Sequence, residues 1–174
     1  MRRDGYSKLP KDNRWGTFPG ISAGWILTRE AFMEPYTNIL SYAKLRASYG
    51  ANGNVSGILD ANGNVIKGLD YYTVQGSYGI MKNRSKRTVA NYNGKVPLML
   101  NDLPNPAMRW EKSYTFETGF DLGFLNNKYI LNFTYYNRHT QDKFAEITLP
   151  SHSGASSFLS NNGEIQNQGF ELEL

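Results

Sequence analysis

Carboxylates are the first residues to weigh as chemical groups. Glu111, Glu117 and Asp121 fall within one short stretch, and Glu171 and Glu173 stand two residues apart. Hydrolysis of a glycoside needs two carboxyls at a defined separation, one of them raised in pKa by an apolar setting. Glu111, Glu117 and Asp121 share a face with Ser, Thr and Gly, so a hydrated wall accounts for them better. A glycoside hydrolase built on Glu117 or Glu171 is therefore poorly supported, and no catalytic residue is assigned. His139 and His152 flank a serine-rich segment, but no nucleophile-elbow pattern surrounds Ser151, Ser153, Ser156, Ser157 or Ser160. The absence of cysteine excludes disulfides and thiolate sites, and two histidines leave little for zinc. Asp60, Asn62 and Asn64 have the one-three-five spacing of a calcium loop. Val65 stands where that loop needs glycine and Tyr71 where it needs a bidentate Glu, so neither a metal nor another cofactor is assigned.

Binding residues come next. Tyr71, Tyr72, Tyr78 and Tyr92 lie in one long connection that ends near Trp110. Such aromatics stack on a sugar or other ligand, pack the loop itself, or form a girdle at a membrane interface. The five are the candidate ligand contacts. The net charge of +4 comes with two basic clusters, one of Arg2, Arg3, Lys8, Lys11 and Arg14, the other of Lys82, Arg84, Lys86 and Arg87. Neither is interleaved with strand aromatics as a single-strand platform requires, so nucleic acid is not an expected partner. Solvated loops, with anionic lipid headgroups as a local partner, suit these runs better. The Asn-x-Ser/Thr matches at Asn54, Asn83 and Asn132 read as chance, since Asn132 falls mid-strand.

Alternation decides the elements that must hold these groups. Lys112, Tyr114, Phe116, Thr118, Phe120 and Leu122 alternate with Ser113, Thr115, Glu117, Gly119 and Asp121. After turn chemistry at Leu125-Asn126-Asn127-Lys128, the residues Tyr129, Leu131, Phe133 and Tyr135 alternate with Ile130, Asn132, Thr134 and Tyr136. The two runs predict a long β-hairpin. Three further strands are expected, over Ile21–Thr28, Ala43–Tyr49 and Gly169–Leu174. Between the first two, Arg29 to Met33 suits one helical turn that Pro35 would end. The repeat Ala51-Asn52-Gly53-Asn54-Val55 and Ala61-Asn62-Gly63-Asn64-Val65 suggests a small hairpin about Asn62-Gly63.

Connection lengths sort as well. Short links are expected at Arg29–Leu40 and Phe124–Lys128, long ones at Ala51–Met108 and Gln141–Asn162. Strands of about ten residues with short turns at one end and long loops at the other fit a transmembrane β-barrel. The fold class expected is all-β, with antiparallel barrel strands and long external loops. No apolar run reaches the length of a membrane-spanning helix, and the start lacks a signal-peptide apolar region. The competing reading is a soluble β-sandwich that binds carbohydrate through its Tyr-rich loops, which requires apolar faces paired against each other.

Separate motifs then accumulate in order. Arg3-Asp4-Gly5, Asn13-Arg14-Trp15-Gly16-Thr17-Phe18-Pro19 and Ala23-Gly24-Trp25 are followed by Lys44-Leu45-Arg46-Ala47-Ser48-Tyr49-Gly50 and Gly53-Asn54. Pro104 through Trp110-Glu111-Lys112-Ser113, Gly119-Phe120-Asp121 and Tyr135-Tyr136-Asn137 come next. Leu149-Pro150, Gly163-Glu164-Ile165 and Asn167-Gln168-Gly169-Phe170-Glu171-Leu172 complete the set. The chain thereby resembles the barrel of SusC/RagA-type TonB-linked outer-membrane transporters, except over Ala51–Leu103. That resemblance implies an outer-membrane importer of glycans or oligopeptides in a Bacteroidetes-type envelope. Its implied partners are a SusD-type surface lipoprotein, the TonB complex acting through a plug, and outer-membrane lipids; it implies no enzyme. The whole chain, 1–174, is expected to be part of the barrel domain, about five of about 22 strands, with residues 51–110 a long external loop. The plug and the C-terminal closing strand are expected to be absent from it. Tyr114, Phe116, Phe120, Leu122, Leu131, Phe133 and Tyr135 are expected to face lipid, and Lys44, Arg46, Glu117 and Asp121 the lumen.

Overall fold

A computed structural model describes residues 1–59, 62, 64–81, 93–155 and 157–174, with the backbone alone for Leu59, Tyr72, Asn101, Asp102 and Ser151. Tyr92, Asp60 and the 82–87 basic cluster lie outside the described residues. The chain opens with a hairpin of β1 (Arg2–Gly5) and β2 (Trp15–Phe18) that the alternation did not announce. The main sheet follows: β3 (Gly20–Ile26) and β4 (Leu40–Asn54). Within the long connection lie β5 (Ile58–Leu59), β6 (Val65–Lys67), α1 (Tyr71–Gln75), β7 (Ser77–Ile80) and β8 (Leu98–Asp102). The chain returns to the sheet as β9 (Glu111–Phe124), β10 (Tyr129–Thr148) and β11 (Ser157–Glu173). The main sheet is antiparallel and ordered β11-β10-β9-β4-β3.

The predicted hairpin is β9 and β10, in register from Phe124 opposite Tyr129 to Lys112 opposite Gln141. Its turn holds Leu125, Asn126 and Asn127 in the left-handed region, at φ of 49°, 58° and 60°. Asparagine tolerates that region and leucine does so at a cost, so bonds must hold the turn. Leu125 N donates to Ile39 O at 2.9 Å and Asn126 N to Ser41 Oγ at 2.7 Å. The other short link contains two 3₁₀ turns, at Leu27–Arg29 and Ala31–Tyr36. Pro35 sits inside the second turn instead of ending a helix before it.

The second long connection is a correction. Gln141–Asn162 was expected to be loop, yet β10 continues to Thr148 and β11 starts at Ser157. A bulge explains the error. The register slips between Thr140 and Lys143 and again before Phe144, and Asp142 adopts φ 56°. Each strand carries one extra residue there, in β10 before Lys143 and in β11 at Asn162, so the in–out alternation breaks in both and a period-two pattern loses them. The connection that remains is residues 149–156. The small hairpin in the first long connection pairs Ile58 with Lys67 and Leu59 with Val65; Gly63 at its tip lies outside the described residues.

The core does not lie on the main sheet's apolar face. Leu9, Phe18, Ala51, Leu69, Met108, Trp110, Phe144 and Leu159 form one buried cluster, drawn from the first hairpin, the long connection and strand residues at the long-loop end. Leu45, Tyr49, Phe116, Phe170 and Leu172 on the sheet face remain exposed. Among the described residues no second sheet covers them, as a sandwich requires.

Candidate functional site

Because side chains alternate along each strand, the register sorts the sheet into rows. Trp25, Leu45, Phe120, Phe133 and Leu172 are consecutive partners and make an apolar row across all five strands. Phe120 and Phe133 stack within it at 5.1 Å. Ala23, Ala47, Thr118, Tyr135 and Phe170 form the next row on the same face. The opposite face carries rows of Gly24, Arg46, Gly119, Thr134 and Glu171, and of Ile26, Lys44, Asp121, Asn132 and Glu173.

Lys44, Arg46, Glu117 and Asp121 therefore share the polar face. Arg46 is the only one of these four with two side-chain partners among the described residues. Its Nε donates to Asp121 Oδ1 at 3.2 Å and its Nη2 to Thr134 Oγ1 at 2.5 Å. Gly119 makes room: a Cβ there would run into Phe133 O and would lie 3.3 Å from the Arg46 guanidinium carbon. Lys44 is opposite Asp121 in the register but makes no described bond with it. Glu117 lies with Arg46, Tyr136 and Arg138 around a shallow depression in this face. The arrangement is a wall bearing charges of both signs, with one pair already satisfied.

At the long-loop end the strands carry a packed cap. Trp110 is 7% exposed, edge-on to Phe18 at 5.4 Å and to Tyr6 at 6.3 Å, with its Nε1–H donated to Arg14 O at 3.1 Å. Both its ring and its polar handle are committed to packing, which leaves it no face for stacking on a ligand. Glu111, expected on the hydrated face, is 3% exposed. Its oxygens accept from Phe144 N at 2.7 Å and Asn54 Nδ2 at 2.7 Å, standing in for backbone partners where the bulge disrupts the ladder. Tyr71 and Tyr78, in contrast, are 55% and 73% exposed. Tyr71 OH lies 3.3 Å from Ser7 Oγ, and Tyr78 projects from the β7–β8 pair. Tyr72 is in α1, with its side chain outside the description.

Two buried asparagines were not singled out in the sequence. Asn105 Nδ2 donates to Leu159 O at 2.9 Å, while its Oδ1 accepts from Ala107 N at 3.0 Å. Asn161 Nδ2 donates to Arg109 O and Asp142 O, at 2.9 and 2.6 Å, and its Oδ1 accepts from Arg109 N at 3.0 Å. These bonds clamp the end of the long connection to the bulge. Arg109 Nη2 meets Asp142 Oδ1 at 2.6 Å, and that hydrogen bond raises the guanidinium's pKa above its ordinary value. The signal was present in Pro104-Asn105-Pro106, where asparagine between prolines can satisfy backbone groups that proline leaves open.

A third tie joins the long connection to β10 above the bulge and beyond the apolar rows. Lys67 Nζ meets Glu146 Oε1 at 3.0 Å, and Ser157 Oγ also donates to that oxygen. The Ser157 hydrogen bond, followed by that of Lys67, lowers the Glu146 pKa. A carboxylate with a depressed folded pKa contributes stability present above its unfolded value, near 4.3, and lost as pH falls through the folded value. Protection of the β6 amides, relative to their intrinsic exchange at each pH, should accordingly fall below that range, and Glu146→Gln should abolish that fall. Protection unchanged with pH in the wild type would remove the tie's role.

The model of the TonB dependent receptor-like β-barrel family matches residues 1–174. The chain belongs to this family. It is 33% identical to TonB-dependent receptor P3 of Formosa agariphila over 99% of its length and 31% identical to TonB-dependent receptor SusC of Bacteroides thetaiotaomicron over all of it. In each case it spans 16% of the relative's own length. Among solved structures, the RagAB peptide importer in its closed-closed state superposes with a TM-score of 0.75 at 24% identity, covering 98% of this chain and 16% of that one. The open-open state gives 0.73. The fold is thus that of a TonB-dependent receptor barrel sector: five adjacent antiparallel strands and the structure at their long-loop end.

Proposed function

We propose that the chain is a sector of wall and external loops in a TonB-dependent outer-membrane importer of glycans or oligopeptides. The apolar rows face lipid, the Arg46 network faces the lumen, and the cap stands outside the cell. One observation carries the reading: an apolar row, exposed at Trp25, Leu45 and Leu172 and half-buried at Phe120 and Phe133, crosses all five strands while the opposite face holds charges of both signs. A soluble sandwich would bury that row. Relatives named as TonB-dependent receptors, SusC among them, support active transport, and RagAB is a peptide importer. A SusD-type lipoprotein at the cap, a plug in the lumen and the TonB complex are the partners this implies. Tyr71, Tyr72, Tyr78 and Tyr92 are the candidate ligand contacts; Lys44, Arg46, Glu117 and Asp121 line the lumen.

Single cysteines in the intact receptor test the faces. With a membrane-impermeant maleimide, Glu117→Cys and Asp121→Cys should label while Phe116→Cys and Phe133→Cys stay unlabelled. Labelling at the two phenylalanine positions alone would reverse the assignment.

A further inference from the structure

We propose that two rows of the polar face form a subsite for a neutral hexose ring of the cargo, with Tyr136 as its platform and Glu117 and Arg138 as its hydrogen-bonding groups. The inference rests on the reading of that face as lumenal and commits to glycans where that reading admits oligopeptides too. The register sets Gly20, Gly50, Thr115, Arg138 and Asn167 side by side in one row, and Ser22, Ser48, Glu117, Tyr136 and Gly169 in the next. In these rows β3 and β4 supply only glycine and serine, so the face is low there, while Glu117, Tyr136 and Arg138 stand along one side. Two adjoining depressions of about 380 and 530 Å³ lie over this step and share Glu117 and Arg138. Both are within the ~300–1,000 Å³ of small-ligand clefts.

The low floor is not something the chain's own packing requires. A Cβ at Gly119 would run into Phe133 O, and one at Gly169 would lie 2.8 Å from the Tyr136 hydroxyl oxygen. At Gly20 and Gly50 a Cβ would meet nothing nearer than 3.9 and 3.8 Å, and neither glycine has a positive φ. Strand glycine with neither reason marks a place where an outside group approaches closely. The tall side names that group. Among the described residues the side chains of Glu117 and Arg138 have no hydrogen bond or ion pair, whereas Arg46 and Asp121 on the same face are bonded to each other. The tip of the Tyr136 ring passes over Gly169, so the ring lies along the sheet and turns a face to the lumen. Such an electron-rich face receives the C–H groups of a pyranose. Glu117 accepts, Arg138 donates, and the hydroxyls of Ser22, Ser48 and Thr115 do both, which matches the hydroxyls around a sugar ring. One carboxylate beside one guanidinium leaves no net charge to select an acidic sugar or a phosphate. An oligopeptide fits less well: an extended peptide binds by adding a strand at an open sheet edge, and the trough lies over β4, β9 and β10, each paired on both sides.

The test uses the intact receptor in phospholipid vesicles, with single cysteines at Thr115 in the trough and at Lys44, three rows toward the short links. A membrane-impermeant maleimide labels them alone, with short neutral oligosaccharides of glucose, mannose and galactose, or with a casein peptide digest. The oligosaccharides should slow labelling of Thr115→Cys several-fold and leave Lys44→Cys unchanged, and Tyr136→Ala should abolish that protection. Equal or greater protection by the peptide digest, or protection by neither probe, overturns the hexose subsite and leaves the lumenal reading standing. So does Thr115→Cys unlabelled beside a labelled Lys44→Cys, which means that protein covers the trough. Protection that survives Tyr136→Ala overturns the platform. Both cysteines unlabelled overturn the lumenal reading itself. Should Thr115→Cys fail to fold, Ser48→Cys carries the same comparison.

Discussion

Arginine in place of Phe133 should destabilise the intact receptor by about 2–4 kcal/mol in a bilayer, the cost of a charge near the midplane on the lipid face of a barrel. Phe133 stands between Phe120 and Leu172 in the five-residue apolar row and stacks on Phe120 at 5.1 Å. The substitution also loses that ring pair, worth roughly 0.5–1.5 kcal/mol beyond area. Ser22→Arg is the control, because Ser22 is exposed on the opposite face beside Ser48. Surface changes of that kind usually stay within about 0.5 kcal/mol. Urea unfolding of both variants in lipid vesicles gives the comparison. Equal, small effects would mean that lipid does not cover the Phe133 face.

Trp110→Ala should loosen the cap while leaving the wall intact. Deleting a buried tryptophan costs about 3–5 kcal/mol through lost burial and the cavity that remains. Here it also leaves Arg14 O without the indole donor and removes the surface against which Phe18 and Tyr6 pack. Limited proteolysis should cut the first hairpin and the 55–110 connection faster, whereas β9, β10 and β11 below the bulge keep their resistance. Trp110→Phe retains part of the packing without the hydrogen bond and should fall between. Cleavage unchanged in Trp110→Ala would show that the cap does not depend on this ring.

The contrast between wall and cap also explains what the sequence disclosed. In the wall, one face is apolar and the other polar, so residues 112–136 spell out strand, turn and register by alternation alone. Alternation sets Arg46 and Asp121 on one face, but not their bond, since Arg46 stands opposite Gly119 and Lys44 opposite Asp121. The cap has no such rule. Its core takes Leu9, Leu69, Met108, Phe144 and Leu159 from places far apart in the chain, and no periodicity connects them. Glu111 reads as one more polar residue on a wet face until the bulge supplies the backbone N–H it must satisfy. Trp110 drew notice as an aromatic, but its neighbours in space decide whether it binds or packs. The last part of β10 is hidden from a period-two pattern because its alternation breaks at Asp142.

That phase change has an evolutionary consequence. In an uninterrupted strand, gaining or losing one residue throws every later side chain to the other face. Between the wall rows and the cap, one extra residue of β10 at 141–142 is answered by an extra residue of β11 at Asn162, and the original register resumes at Phe144 opposite Asn161. A residue added at this joint would change the phase only toward the rim and leave the rows beneath as they are.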